Sequence, residues 1–237
     1  MDKEYASLLD SYKRMLEMVD AFHFNSKNTA DVYSRYLTIP DASKVIPITH
    51  GGISDRRRLR QYDEKVLRLG FIGSEAPYKG LPLLKEVIDD LNKRGFLDKI
   101  CLNVFGGRSG VDNNLKNVHY RGRYTSSAME QVFDSMDVLI VPSIWYETFS
   151  LVALEALSFG TVVLVSDKVG AKDIVANYSN HFVYGTREEL LSLLRQIAED
   201  RHELIEYNKR LIEGDWLWSI ESHAKEIVDV IYKDICR

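Results

Sequence analysis

The pattern of apolar and polar positions changes character along the chain. From about residue 66 onward, short apolar runs alternate with longer amphipathic segments. The short runs are almost continuously apolar, which is typical of strands covered by helices on both faces. These predicted strands are "VLRLGFIG" (66–73), "ICLNVFGG" (100–107), "VHYRGR" (118–123), "VLIVPS" (138–143), "TVVLVSD" (161–167) and "HFVYG" (181–185).

The segments between these runs have helical periodicity. They are "KGLPLLKEVIDDLNKRG", "SSAMEQVFDSM", "TFSLVALEALSFG", "KDIVAN" and "TREELLSLLRQIAED". Strand–helix alternation of this kind predicts an α/β fold built on a doubly wound parallel sheet. Ligands of such sheets bind beyond the carboxyl ends of the strands, so we expect a site in the loops that follow the apolar runs.

Both ends of the chain follow a different pattern. Residues 1–50 contain two predicted helices (about 3–21 and 28–37) and too little strand for a sheet of their own, so we interpret them as the end of another domain with its linker. The run "DRRRLRQYDEK" (55–65) is predicted to be a polar, solvated connector. Residues 51–237 then form one α/β domain, closed by a long amphipathic helix over 215–235 with Asp215 as its cap.

Composition and charge narrow the functional classes. The 237 residues are 45% hydrophobic and 28% charged, with a net charge of -4, which argues against a nucleic-acid binder. Cys101 and Cys236 lie far apart and suggest no disulfide framework. The N-terminus has no signal-peptide pattern and no run is long enough to span a bilayer, so we expect a cytoplasmic protein. The six histidines have no metal-ligand spacing.

The segment "YETFSLVALEALSFG" places two acids, Glu147 and Glu155, around an apolar run. A helix that begins near Thr148 to Ser150 would present unpaired N–H groups at the carboxyl edge of the sheet, a natural phosphate site. Glu155 is suited to accept hydrogen bonds from a ribose diol, and Glu147 to reach hydroxyls beyond the phosphates. The pattern fits equally well a first-turn acid favoured by the helix dipole and a solvated surface glutamate.

Three other loops are candidates. In "FIGSEAPYKG" a strand ends at Gly73 and Lys79 opens the next helix. A lysine at this position can bind a diphosphate through a charged hydrogen bond, which contributes about 1.5–3 kcal/mol to the binding free energy. The ordinary alternative is a solvated lysine in a turn. The glycine-rich turn "VFGGRSG" (104–110) is weak evidence, since such turns are usually only turns. The segment Gly122 to Tyr124 could border a nucleobase or be ordinary packing at the end of a strand.

Taken together, these segments resemble the C-terminal, donor-binding half of the group 1 family of retaining glycosyltransferases, which have the GT-B fold. The resemblance covers roughly residues 38–235. Five motifs carry it in the family's order: "VIPITHGGISD", "LGFIGSEAPYKGL", "NVHYRGR" with "MDVLIVPS", "ETFSLVALEALSFGTVVLVSD" with its E-x7-E signature, and "GDWLWSIESHAKEIVDVIY".

The resemblance implies a Rossmann-like domain that binds a UDP- or GDP-sugar and transfers the sugar with retention. It implies that Glu147 is the catalytic carboxylate at the transferred sugar, that Glu155 binds the ribose and that Lys79 binds the diphosphate. The other implied donor-binding residues are Gly73, Ser74, Arg108, Gly122, Arg123, Tyr124, Thr148, Phe149, and the backbone amides of Ser150 and Leu151. No metal or other cofactor is expected, because cationic groups and the helix end balance the leaving group's charge.

The chain departs from the family's pattern in three ways. Ser74 stands where the family usually has arginine, and Ser150 where it usually has glycine. From the resemblance, we expect the sequence to lack the N-terminal domain that supplies the acceptor site, apart from its last helices, and transfer to need that domain or a partner chain. Our hypothesis is that Arg108 or Arg123 replaces the missing arginine, because both lie in loops at the same sheet edge as Lys79.

The family context suggests polysaccharide biosynthesis with a glycan or glycolipid acceptor, and peripheral contact with the inner face of the membrane through the absent domain. Two alternatives remain open. A catalytically silent partner or regulatory subunit with the GT-B fold would explain Ser74 and Ser150, whereas the retained Glu147, Glu155 and Lys79 argue against it. A sugar-nucleotide epimerase fits the E-x7-E signature less well.

Overall fold

The computed structural model describes residues 3–108, 114–216 and 218–233, which form an α/β structure. Its strands are β1 (His23–Phe24), β2 (Lys44–Val45), β3 (Leu67–Ile72), β4 (Ile100–Phe105), β5 (Val118–Gly122), β6 (Val138–Val141), β7 (Val162–Ser166) and β8 (Val183–Tyr184). Its helices are α1 (Lys3–Leu16), α2 (Lys27–Ser34), α3 (Leu81–Leu91), α4 (Met129–Asp134), α5 (Leu151–Ser158), α6 (Lys172–Tyr178), α7 (Arg187–Glu199), α8 (His202–Glu213) and α9 (Ile220–Ile227).

Short turns of other helix types extend this framework. Three 3-10 turns precede α3, α4 and β8, and π-helical turns follow α3 and α9. They lie at Pro77–Lys79, Ser126–Ala128, Asn180–Phe182, Asn92–Phe96 and Val228–Tyr232. Among the described helices, none combines the length and the apolar character that crossing a bilayer requires.

Six strands form one fully parallel sheet in the order β5-β4-β3-β6-β7-β8. The chain runs outward from β3 through β4 to β5, returns to the middle, and runs outward again from β6 to β8. The strand order therefore reverses between β3 and β6, which is the point where such sheets bind ligands. The predicted doubly wound parallel sheet is confirmed, and all six predicted strands form within two residues of their expected ends.

The core follows the apolar runs of the sequence. Every residue of β6 and β7 is buried, as the continuous apolar pattern predicts for central parallel strands. Helices α5, α6 and α8 pack against β7. In β3, a Cβ on Gly70 would lie 2.2 Å from the sulfur of Met136, so glycine there makes room for a large buried side chain.

The connector over residues 55–65 was predicted to be solvated. This prediction is wrong for two of its arginines, whose side chains are buried. The side chains of Arg57 and Arg60 are only 7% and 6% exposed. Arg60 donates hydrogen bonds to the carbonyls of Phe133 (2.9 Å) and Met136 (2.6 Å). Because backbone carbonyls satisfy the buried guanidinium, the segment is anchored to the domain.

The C-terminal helix begins later than predicted. Ser219, not Asp215, is its cap: the Ser219 hydroxyl accepts a hydrogen bond from the Ser222 amide, and α9 starts at Ile220. The predicted end of this helix and Cys236 lie outside the described residues. Helix α8, which precedes it, was not predicted as a separate element.

The first fifty residues contain more strand than expected. β1 and β2 pair in parallel over two residues each, so the prediction that this part forms no sheet of its own is wrong. α1 ends at Leu16 rather than near residue 21. The Ser26 side chain caps α2 by accepting a hydrogen bond from the Thr29 amide.

Candidate functional site at the switch point of the sheet

The loops that follow β3 and β6 enclose a cavity of about 210 Å³ at the switch point of the sheet. Apolar strand ends form its floor, and two charged groups line its wall, Lys79 and Glu147. Of the predicted site residues, the cavity brings together Gly73, Lys79, Glu147, Ser150 and Leu151. A cavity therefore lies where the strand order predicts a ligand site, and it is lined by one cationic and one anionic side chain.

Lys79 and Glu147 form an ion pair across the two loops. The Lys79 Nζ lies 2.8 Å from the Glu147 Oε1. Lys79 ends the 3-10 turn before α3, and Gly80 follows it with φ 80°. A Cβ on Gly80 would lie 1.7 Å from the carbonyl oxygen of Pro142, so only glycine lets the two loops meet this closely.

The Glu147 side chain is held from several directions and is only 14% exposed. The buried Ser143 hydroxyl donates a hydrogen bond to the same carboxylate oxygen that binds Lys79. The Glu147 backbone pairs with the loop after β7, since its amide donates to the Lys168 carbonyl and its carbonyl accepts from the Gly170 amide, both at 3.0 Å. Sequence reasoning missed Ser143, although its place directly after the buried run "VLIVP" was a usable signal.

Helix α2 of the N-terminal segment supports the same loop from the other side. The Ser26 hydroxyl donates a 2.6 Å hydrogen bond to the Thr148 carbonyl. The Asn28 side-chain amide reaches the Asp167 carbonyl at 3.3 Å. The first fifty residues therefore help to fix the loop that carries Glu147.

Helix α5 begins at Leu151, slightly later than predicted, and points its first turn at the cavity. The N–H groups of a helix's first turn have no partners within the helix and attract anions. Ser150 precedes the helix with φ 130° and ψ 92°. Among the described residues it is the one non-glycine with a positive φ, in backbone space that favours glycine.

Glu155 lies outside this cavity, on the next turns of α5. Its side chain is 19% exposed, and its Oε1 lies 3.2 Å from the Nε2 of His50. Burial raises the pKa of Glu155, and the hydrogen bond from His50 partly offsets that rise. The alternative that Glu155 is a solvated surface residue is therefore wrong. His50, within the linker motif "VIPITHGGISD", was not singled out from the sequence.

The predicted nucleobase edge lies beside Glu155. Tyr124 is half-buried and packs edge-on against Phe105, with ring centroids 6.0 Å apart. Burial raises the pKa of Tyr124 to about 12, and the negative charge of Glu155 adds to that rise. Gly122 is buried with φ 79°, and Arg123 is exposed. Tyr124 and Glu155 thus share one environment, next to the end of β5.

The other predicted residues do not line the cavity. Ser74 is exposed, and so is Arg108, whose amide donates to the Glu75 carboxylate at 3.2 Å. Thr148 is exposed, whereas Phe149 is buried in the core. Ser109 and Gly110, the end of the predicted glycine-rich turn, lie outside the described residues.

The sequence of this chain matches the profile of a known protein family. The profile of the family described as "Glycosyl transferases group 1" matches residues 54–214, which is more than half of the chain. The chain belongs to the group 1 glycosyltransferase family. The family expected from the motifs is thereby confirmed.

Two curated relatives of this group 1 glycosyltransferase chain are 25% identical to it. One is an uncharacterized glycosyltransferase of Methanocaldococcus jannaschii, aligned over 75% of this chain and 47% of its own length. The other is a glycogen synthase of Lachnoclostridium phytofermentans, aligned over 73% of this chain and 41% of its own length. The chain therefore spans less than half the length of these relatives.

Solved structures share the fold at lower identity. Anabaena HepE in complex with UDP-glucose superposes with a TM-score of 0.73 at 14% identity, covering 98% of this chain and 70% of HepE. Sucrose-phosphate synthase of Thermosynechococcus elongatus gives 0.70 at 18% identity, covering 99% of this chain and 64% of the synthase. These similarities confirm the predicted Rossmann-like, GT-B-type fold.

Proposed function

We propose that this chain is the nucleotide-sugar-binding part of a retaining glycosyltransferase. The cavity at the switch point takes the diphosphate and the transferred sugar of a UDP- or GDP-sugar, and Glu155 takes the ribose. The observation that carries this proposal is the Lys79–Glu147 pair, which lies in one cavity with the N-terminus of α5. The HepE structures with UDP and with UDP-glucose support the ligand class.

The size of the cavity supports a division of the donor between two places. Pockets that enclose whole small ligands usually measure about 300–1,000 Å³, whereas this cavity measures about 210 Å³. Because the cavity is smaller than such pockets, we place only one part of the donor in it and the nucleoside along the sheet edge. Glu155 and Tyr124 lie there and offer a carboxylate for the ribose and an aromatic surface for the base.

The chain's own residues can balance the charge that develops on the leaving nucleotide. Lys79 exchanges its bond to Glu147 for one to the diphosphate, which frees the Glu147 carboxylate to accept hydrogen bonds from the sugar hydroxyls. The first-turn amides of α5 bind the phosphate oxygens. Arg108 or Arg123 adds a second cation. The departing phosphate itself steers the acceptor hydroxyl, so no protein nucleophile and no metal are required.

The chain spans less than half the length of its curated relatives, so the acceptor site is not assigned to any of its residues. We propose a glycan or glycolipid acceptor, bound with the help of an N-terminal domain or a partner chain. A second function, a catalytically silent module, is favoured by the exposed Ser74 and by the strained backbone of Ser150.

Thermal unfolding with UDP, GDP and their sugar conjugates tests the proposal. A nucleotide at about a hundred times its Kd should stabilise the protein by about 2.7 kcal/mol. Lys79→Ala should weaken nucleotide binding on the order of ten- to a hundredfold, since it removes a charged hydrogen bond. Lys168→Ala is the matched control, because its side chain is equally exposed at 35% but does not line the cavity.

Each outcome separates the two functions. Stabilisation that Lys79→Ala removes and Lys168→Ala retains supports a donor site. No stabilisation by any of these nucleotides would contradict the donor site and favour the silent module. Equal losses in both lysine variants would show that binding does not depend on the cavity.

A further inference from the structure

Both ring nitrogens of His50 have hydrogen-bond partners. It lies on the stretch that connects β2 to β3 and runs past α5. One ring nitrogen, Nε2, lies 3.2 Å from the Glu155 Oε1. The other, Nδ1, accepts a 3.1 Å hydrogen bond from the Gly52 amide.

These two contacts assign the tautomer of the ring. Since a backbone amide can only donate, Nδ1 must be the unprotonated nitrogen, and the proton lies on Nε2. His50 therefore donates from Nε2 to the Glu155 carboxylate. Gly52 is part of this arrangement, because a Cβ there would lie 3.0 Å from the ring Cε1 and would crowd the ring away from the amide.

The hydrogen bond from His50 leaves the two oxygens of Glu155 unequal. Oε1 is bound by His50, while Oε2 is bound by none of the donors in the part of the chain that the structure describes. Glu147 differs, because a lysine occupies its carboxylate.

We infer that His50 is a positioning residue, which fixes the Glu155 carboxylate so that its Oε2 receives the ribose hydroxyls of the donor. The inference rests on the proposed function. A vicinal diol offers hydroxyl donors, and a carboxylate of fixed orientation binds them better than one that is free to rotate. His50 therefore sets the selectivity for nucleotides that carry an intact 2′,3′-diol, although it does not touch them.

Isothermal titration with UDP and with 2′,3′-dideoxy-UDP tests this role (or with the guanosine pair, if GDP binds the protein better). Wild-type protein should bind UDP on the order of tenfold or more tightly than the dideoxy nucleotide, the scale of one or two hydrogen bonds to a charged group. His50→Ala should weaken UDP binding while leaving dideoxy-UDP nearly unchanged, so the ratio falls to about threefold or less.

Two further variants separate the role of the His50 hydrogen bond from a general effect on folding. His50→Gln retains an N–H donor at this position and should restore most of the selectivity. His181→Ala is the control, because His181 forms a similar 3.3 Å contact with Glu203 outside the site and should leave the ratio unchanged. Circular dichroism of each variant verifies that it folds.

The outcomes separate this inference from the function on which it rests. A wild-type protein that binds neither UDP nor GDP would overturn both. A wild-type protein that prefers UDP, with the same preference in His50→Ala, would overturn the role of His50 alone. Equal weakening of UDP and dideoxy-UDP in His50→Ala would also overturn it, because the effect would then be structural rather than directed at the ribose.

Discussion

The two acids of the E-x7-E signature lie in regions of similar burial but different neighbours. Glu147 is 14% exposed and bound by Lys79 and Ser143. Glu155 is 19% exposed and bound by His50 alone among the described residues, and burial raises its pKa. The comparison shows that Lys79 and Ser143 already occupy one carboxylate, whereas the other has an oxygen, Oε2, that accepts no hydrogen bond from the described residues.

The two regions are also built differently. The Glu147 region joins the loops after β3, β6 and β7 and is supported by α2. The Glu155 region joins the middle of one helix to the stretch before β3. Backbone changes in the loops should therefore disturb Glu147 while leaving Glu155 in place.

The largest effect is expected from Gly80→Ala, which forces apart the loops that bring Lys79 to Glu147. Its φ of 80° costs an alanine about 1–2 kcal/mol, and the clash with the Pro142 carbonyl adds about 1–3 kcal/mol. Gly95→Ala is the control, since Gly95 has φ 91° but open space around it. Urea denaturation should show a markedly larger loss for Gly80→Ala. Equal losses would mean that the loops do not depend on this contact.

A smaller effect of opposite sign is expected from Ser150→Gly, at the start of α5. Glycine relieves about 1–2 kcal/mol of left-handed strain and costs about 0.5–1 kcal/mol in the entropy of the unfolded chain. The net gain is therefore between about 0 and 1.5 kcal/mol. Ser150→Ala retains the Cβ, so we expect no rise in its urea midpoint. An equal rise in both variants would contradict backbone strain at Ser150.

The smallest effects distinguish the two acids directly. Because the folded state raises the pKa of Glu155 above its ordinary 4.5, the folded protein binds this proton more tightly than the unfolded chain. The stability linked to Glu155 is present below pH 4.5 and is lost as the pH rises through the folded pKa. Glu155→Gln should therefore raise the melting temperature at neutral pH, and the gain should vanish near pH 4.

Glu147→Gln is the matched change in the other region. It removes the ion pair with Lys79 and should lower the free energy of unfolding by up to about 1 kcal/mol at neutral pH. Melting curves of both variants between pH 4 and pH 8 measure the contrast. If Glu147→Gln stabilised the protein as Glu155→Gln does, the two carboxylates would not differ as described.

The sequence predicted the sheet well because burial leaves a simple pattern. β6 and β7 are continuous apolar runs, and few other structures accommodate such runs between helical segments. The proximity of Lys79 and Glu147 was also predictable, because each lies in the loop after a strand of the central sheet, and parallel strands bring such loops together at one edge.

The contacts missed by sequence reasoning join residues far apart in the chain. His50 and Glu155 are separated by 105 positions. The burial of Arg60 depends on carbonyls near the end of α4, and a run of charges gives no sign of them. Asp215 and Ser219 are both good caps, but Trp216 packs against the core with the Arg57 guanidinium over its ring, and α9 starts after it.

The most direct test of the central claim is a crystal structure of this protein with UDP. We predict the diphosphate within hydrogen-bond distance of the Lys79 Nζ and the Leu151 amide, and the ribose diol on the Oε2 of Glu155. UDP bound elsewhere, or bound in the cavity with its ribose turned away from Glu155, would contradict the account.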